Sequence, residues 1–165
     1  DPLLDADDVA DTFRRLFEAG KVRHFGVSNF TPSQYALLAS RFPLVTNQAE
    51  ASLLHLDPLF DGTFDQCQQL RVRPMLWSPL AGGRVLDAAA NPVLHAALQQ
   101  VAGALDVSVA TVALAWLLQH PCKPLPIIGS RRLASLDEAA TACRLALDRK
   151  QWFALLQAAR GHEVA

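Results

Sequence analysis

Residues 73–84 read Arg-Pro-Met-Leu-Trp-Ser-Pro-Leu-Ala-Gly-Gly-Arg. Arg73 to Trp77 has the short apolar run of a buried strand, Ser78-Pro79 ends it, and Gly82-Gly83 supplies a loop. A helix is expected next, from about Pro92 to Ala104, with Val93, Leu94, Ala97, Leu98 and Val101 facing inward. Strand, polar-and-glycine loop and helix make one βα unit.

The same arrangement recurs on both sides. Upstream, a helix over 6–19 carries Val9, Phe13, Leu16 and Phe17 on one face and stops at Gly20. Val22 to Val27 reads as a strand, and Thr31-Pro32-Ser33-Gln34 is a capping box with proline at the first helical position. Leu44 to Gln48 is the next strand, and Asp57-Pro58 opens a helix carrying Leu59, Phe60, Phe64, Cys67 and Leu70. Downstream, Ser108 to His120 repeats apolar residues at helical spacing, and Pro121 and Pro124 break the pattern before a strand at Leu125 to Ile128. Helices around 133–143 and 148–160 complete the chain. Four strands alternating with helices predict parallel βα units with right-handed crossovers in one domain, residues 1–165.

The bulk numbers agree with a packed domain. In 165 residues, 51% are hydrophobic and 19% charged, with 15 Lys+Arg against 16 Asp+Glu. That balance lacks the basic footprint of a nucleic-acid binder or a polybasic membrane anchor. No apolar run approaches the ~20 residues of a membrane span, and no charged-then-apolar leader opens the chain. A soluble, cytoplasmic protein without nucleic-acid or membrane partners is the expectation. Cys67, Cys122 and Cys143 are far apart and show no CxxC spacing, which suggests neither a disulfide framework nor a thiolate zinc site. Cys67 and Cys143 fall in helical patterns and read as small core residues. The five histidines lack HxxxH or HExxH spacing and read as surface or helix-end residues.

Polar and glycine residues gather at each strand end: Ser28-Asn29, Asn47-Gln48, Ser78 and Gly129-Ser130. This is the side on which sites assemble in such folds. Gly129-Ser130-Arg131-Arg132, between strand and helix, is either an anion site or a loop with two solvated arginines. Trp77 either stacks on a flat heterocycle or plugs the core, and pattern alone favours the plug. Ser28, Asn29 and Gln48 either bind a carboxamide or cap helices and strand ends. No GxGxxG or GxxxxGK[ST] motif occurs.

Together, residues 20–30 (GKVRHFGVSNF), Thr46-Asn47-Gln48, residues 77–83 (WSPLAGG), residues 112–117 (VALAWL) and Ile127-Ile128-Gly129-Ser130 resemble the second half of an aldo-keto reductase. Order and spacing match over essentially the whole chain, most closely in a bacterial oxidoreductase subgroup. The resemblance implies the C-terminal half of a (β/α)8 TIM barrel, with four parallel βα units plus a C-terminal helix. It implies NADP(H), ahead of NAD(H), and a small-molecule carbonyl substrate. Ser28, Asn29 and Gln48 would hold the nicotinamide carboxamide, reversing the reading of those residues as caps. Trp77 would stack on the nicotinamide, reversing the core plug. Ser78, Pro79, Leu80, Ala81, Gly82 and the loop to Arg84 would lie along the diphosphate. Gly129, Ser130 and Arg131 would receive the adenosine 2′-phosphate, with Arg132 nearby, and Glu138 would approach the adenine.

Two departures bear on the cofactor. Ser135 stands where many members carry arginine or glutamine, and Ala139 replaces the asparagine after Glu138, so NADP preference falls to Arg131 and Arg132. A complete barrel needs ~250 residues. The family's catalytic Asp, Tyr, Lys and His would lie ahead of residue 1, leaving no catalytic residue within the 165. The expectation is the cofactor-binding half of an NADP-dependent carbonyl reductase, inactive alone and completed by a missing N-terminal half or by self-association. The alternatives are a non-catalytic nucleotide- or partner-binding module, as the family's potassium-channel β-subunit relatives suggest, and an unrelated phosphate-binding barrel fragment.

Overall fold

The computed structural model describes residues 1–164. Four strands, β1 (Val27–Ser28), β2 (Asn47–Glu50), β3 (Met75–Trp77) and β4 (Leu125–Pro126), form one sheet in the order β1-β2-β3-β4. Every pairing is parallel, with Ser28 opposite Gln48, Glu50 opposite Trp77 and Leu76 opposite Pro126. Between and beyond the strands run α1 (Ala6–Glu18), α2 (Pro32–Ala39), α3 (Thr63–Leu70), α4 (Pro92–Leu105), α5 (Val109–Leu118), α6 (Leu133–Ala142) and α7 (Arg149–Arg160). The α/β architecture expected from the alternating pattern is present. Among the described residues, no single helix is long and apolar enough to cross a membrane.

The helix starts follow the capping chemistry of the sequence. Thr31 with Gln34, and Asp148 with Gln151, form reciprocal capping boxes at α2 and α7. Asp5 and Ser108 cap α1 and α5 through their side-chain oxygens. The main core joins β3, α3, α4, α5 and α7 through Leu76, Phe64, Leu98, Val112, Trp116 and Leu155, all buried. Trp116 and Trp152 stack and exchange hydrogen bonds, each indole Nε1 donating to the other's carbonyl at 3.0 Å. A second cluster packs α1 and α2 over Phe25, Tyr35, Leu38 and Leu44.

Several boundaries move. The strand expected at 22–27 pairs only at Val27–Ser28, and that expected at 44–48 lies at Asn47–Glu50. Leu44 and Phe25 pack under α1 and α2, and the Phe25 carbonyl accepts from the Val45 N–H at 2.8 Å just ahead of the ladder. The strand expected at 73–77 shortens to Met75–Trp77, since Pro74 has no N–H to give to a ladder, and that expected at 125–128 shortens to Leu125–Pro126. The single helix expected from Asp57 is a 3-10 turn at Asp57–Leu59, then Gly62 at φ 88°, then α3. Phe60 therefore leaves the helical face and lies exposed beneath the Arg160 guanidinium, 4.7 Å from its ring centroid. Val93 and Phe17, expected inward, are exposed, as is Leu70. Cys143, expected in the core, is also exposed because it sits at the C-cap of α6. Cys67 is buried as expected.

Candidate functional site

Two neighbouring clefts share Trp77; Asn29 lines one, and Ser78, Gly129 and Ser130 line the other, whereas Ser28, Asn47 and Gln48 line neither. The larger, about 580 Å³, lies between the C-terminal ends of β3 and β4 and the start of α6. Its size is ordinary for a small-molecule site. Of the residues expected at the site, Trp77, Ser78, Pro79, Leu80, Gly82, Gly129, Ser130, Arg132, Ser135 and Glu138 line it.

Its floor is a tight loop after β3. Ser78, Ala81, Gly82 and Gly83 all adopt positive φ, at 51°, 50°, 67° and 96°. The turn is closed by Ala81 N–H donating to the Ser78 carbonyl (2.7 Å) and Gly83 N–H to the Leu80 carbonyl (2.8 Å). A Cβ added at Gly82 or Gly83 would meet nothing within 4 Å. Those glycines are therefore required by backbone conformation, and the space above them is open. Left-handed backbone at Ser78 and Ala81 costs about 1–2 kcal/mol each, and such strain gathers at binding loops. Arg84 does not line the cleft; its Nε donates to the Ala81 carbonyl and braces the loop. Ala81 is buried beneath the loop.

The far wall is the start of α6. No side chain caps this helix, whose N-cap is Arg132, and Ser130 Oγ accepts from the Arg132 N–H at 3.2 Å. Unsatisfied first-turn N–H groups carry partial positive charge, so two arginines there are the reverse of a stabilising cap. The arrangement suits an anion. Arg131 is exposed and lies outside the cleft lining. Thr111 Oγ1 donates to the Glu138 carbonyl at 3.3 Å and ties α6 to α5.

On the β1–β2 side, Ser28 Oγ and Asn29 N–H both donate to the Gln48 main-chain carbonyl, at 3.0 and 2.8 Å. Asn29, at φ 55°, accepts through Oδ1 from Trp77 Nε1 at 3.0 Å. One amide thus orients the indole that separates the two clefts. Asn47, almost fully buried, grips the Phe30 main chain at both N–H and C=O, at 3.3 and 2.8 Å. The sequence reading noted Asn47 only as a strand-end residue and missed this clamp. It also missed Ala110 and Leu114 of α5, which wall the larger cleft. Their only sequence signal was an apolar helix too uniformly buried to show which residue meets a cavity.

A third hollow, about 320 Å³, involves Gln119, His120 and Trp152. Its polar groups are largely committed. Gln119 donates to the Leu147 carbonyl and accepts from its N–H, and Trp152 Nε1 is paired with Trp116. Burial holds His120 below the ordinary imidazole range, with Asp65 opposing. This is packing rather than a binding surface.

The aldo/keto reductase family profile matches residues 1–160. The chain is 52% identical to the oxidoreductase YdhF of Escherichia coli over 99% of its length. It is 43% identical to a 6-dehydroglucose reductase of Agrobacterium fabrum over 100%. It spans about half of these relatives, 56% of each. A crystal structure of a thermostable aldo-keto reductase superposes on 96% of the chain with a TM-score of 0.86, at 24% identity and over 56% of its own length. The fold of this chain is that of half such a barrel.

Proposed function

The chain belongs to the aldo/keto reductase family, an oxidoreductase family, and from that premise we propose that it is the NADP(H)-binding half of a carbonyl reductase. The observation that carries the reading is the start of α6, a helix N-terminus with no side-chain cap and with Arg131 and Arg132 beside it. Opposed positive charge there is favourable only with an anion between. The open glycine loop facing it leaves room for backbone to approach a diphosphate. The residues present fit the cofactor.

Ser28, Asn29 and Gln48 would hold the carboxamide, and Trp77, oriented by Asn29, would give the flat wall. Ser78, Pro79, Leu80, Ala81, Gly82 and Arg84 form or brace the diphosphate loop. Gly129, Ser130, Arg131, Arg132 and Ser135 would surround the adenosine phosphate, with Glu138 near the adenine. The bound cofactor supplies hydride to a carbonyl carbon.

Protonating the carbonyl oxygen needs a general acid, and the chain's single tyrosine does not serve. Tyr35 is buried, its hydroxyl donates to the Leu44 carbonyl, and desolvation followed by Cys67 raises its pKa. On this proposal a donor outside these residues serves instead, and the polypeptide alone is not expected to oxidise NADPH with aldehydes. The open edges of β1 and β4 are expected to be covered by the complementary half of the barrel or, without it, by a second copy.

The reading is tested by titrating NADPH and NADH into the protein and into Arg131→Ala/Arg132→Ala. A charge-assisted contact is worth about 1.5–3 kcal/mol, so NADPH affinity is expected to fall about ten- to hundredfold and NADH affinity to hold. An equal loss for both cofactors would defeat the assignment.

A further inference from the structure

The main chain of Asn29 is held from both sides. Its own N–H donates to the Gln48 carbonyl at 2.8 Å, and Asn47 grips the next residue, Phe30, at both N–H and C=O. Between these ties Asn29 takes a left-handed conformation, φ 55°, which asparagine adopts more readily than most residues. Trp77 is held in β3, opposite Glu50 of β2. One side-chain hydrogen bond joins the two anchored residues, from the indole Nε1 to Asn29 Oδ1 at 3.0 Å.

An asparagine amide has two ends of opposite sense, a carbonyl that accepts and an NH2 that donates, and a half-turn exchanges them. Asn29 is exposed, so water would serve either orientation about equally well. The indole removes that freedom. Its N–H can only donate, so Asn29 must turn Oδ1 towards Trp77 and Nδ2 away from it. The opposite orientation would set N–H against N–H and forfeit the bond. Among the described residues the Nδ2 hydrogens have no protein partner, and no buried side-chain polar atom is left unpaired. They therefore face open space beside the smaller cleft, which Asn29 and Trp77 both line.

We propose that Trp77 is a positioning residue for the cofactor's carboxamide. Its ring face supplies the wall, and its indole edge locks Asn29 as a donor. This position then takes a carbonyl oxygen and rejects an amino group. Presenting the acceptor end instead would break a hydrogen bond between two residues that the main chain already holds in place. One such bond is worth about three- to tenfold in affinity. Phenylalanine at this position would keep the wall and lose the lock. The role rests on the cofactor reading of the larger cleft; the hydrogen bond itself does not.

Two analogues of NADP separate the two senses. The acetylpyridine analogue carries a carbonyl acceptor where the carboxamide stands, and the aminopyridine analogue carries a donor. The test is calorimetric titration of NADP and both analogues into the protein, Trp77→Phe and Asn29→Asp, beside nitrogen–proton NMR of the indole groups. The protein is expected to prefer the acetyl analogue about three- to tenfold, and Trp77→Phe to bind the two about equally. In Asn29→Asp, whose carboxylate can bond the indole and still present an acceptor, the preference is expected to reverse. Without any ligand, the Trp77 indole N–H resonance is expected to move upfield in Asn29→Ala. An unchanged preference in Trp77→Phe, or an unmoved indole resonance in Asn29→Ala, would overturn the positioning role and leave the cofactor reading standing. Failure of NADP and both analogues to bind the unaltered protein would overturn the cofactor reading and the positioning role together.

Discussion

At the scale of single residues, the three cysteines show how burial separates groups of one chemistry. Burial pushes the Cys67 thiol up to about 11 and Cys122 up to about 12, where Cys67, Asp65 and burial together outweigh a backbone hydrogen bond. Neither forms thiolate at neutral pH, and thiolate is the reacting form. Cys143 is exposed. A chromogenic disulfide reagent is expected to titrate one thiol in the native protein and three after denaturation, with the native signal lost in Cys143→Ser. Rapid reaction of two or three native thiols would contradict the packing described. Helical periodicity placed Cys67 correctly and Cys143 wrongly, because a period marks a face but not where the helix stops. Residues whose role is a main-chain bond were also hidden. Asn47 reads as a polar strand-end residue, yet its amide fixes the Phe30 main chain beside the left-handed Asn29. Nothing in its sequence neighbourhood distinguishes an amide that grips backbone from one that faces water.

Among elements, the loop after β3 and the helix that follows it give a paired test of backbone conformation. Gly82 sits at φ 67° with nothing near an added Cβ, whereas Gly103 lies inside α4, equally unencumbered. The same Gly→Ala change should act with opposite signs. Gly82→Ala is expected to destabilise by about 1–2 kcal/mol through left-handed strain. Gly103→Ala is expected to stabilise by about 0.5–1 kcal/mol through helix propensity. Urea midpoints at constant slope measure both, and equal signs would contradict the loop geometry. The glycine pair was legible as a loop because its chemistry is local. Strand limits were less so. The ladders of β1 and β2 begin five and three residues later than the apolar runs suggested, so Asn47 and Gln48 open a strand rather than end one. Apolar alternation records burial, and in residues 22–27 the burial is under α1 and α2.

For the molecule as a whole, the parallel direction of the strands was readable because helices alternate with them, and parallel pairing needs such a crossover. What no single segment encodes is convergence. Trp77 and Ser130 are 53 positions apart in sequence and line one cleft, and Asn29 and Thr63 line another against the same tryptophan. Most of the residues expected at the site meet at these two clefts or in the strand pairs beside them. Arg84 and Ala81 support the loop instead. The central claim is that a nucleotide cofactor occupies the cleft between the ends of β3 and β4. Amide chemical-shift mapping of the isotopically labelled protein during an NADPH titration tests it directly. Saturable shifts are expected at Trp77–Gly83 and Gly129–Glu138, with the Gln119–Trp152 hollow unmoved. No saturable shift, or shifts centred on that hollow, would contradict it.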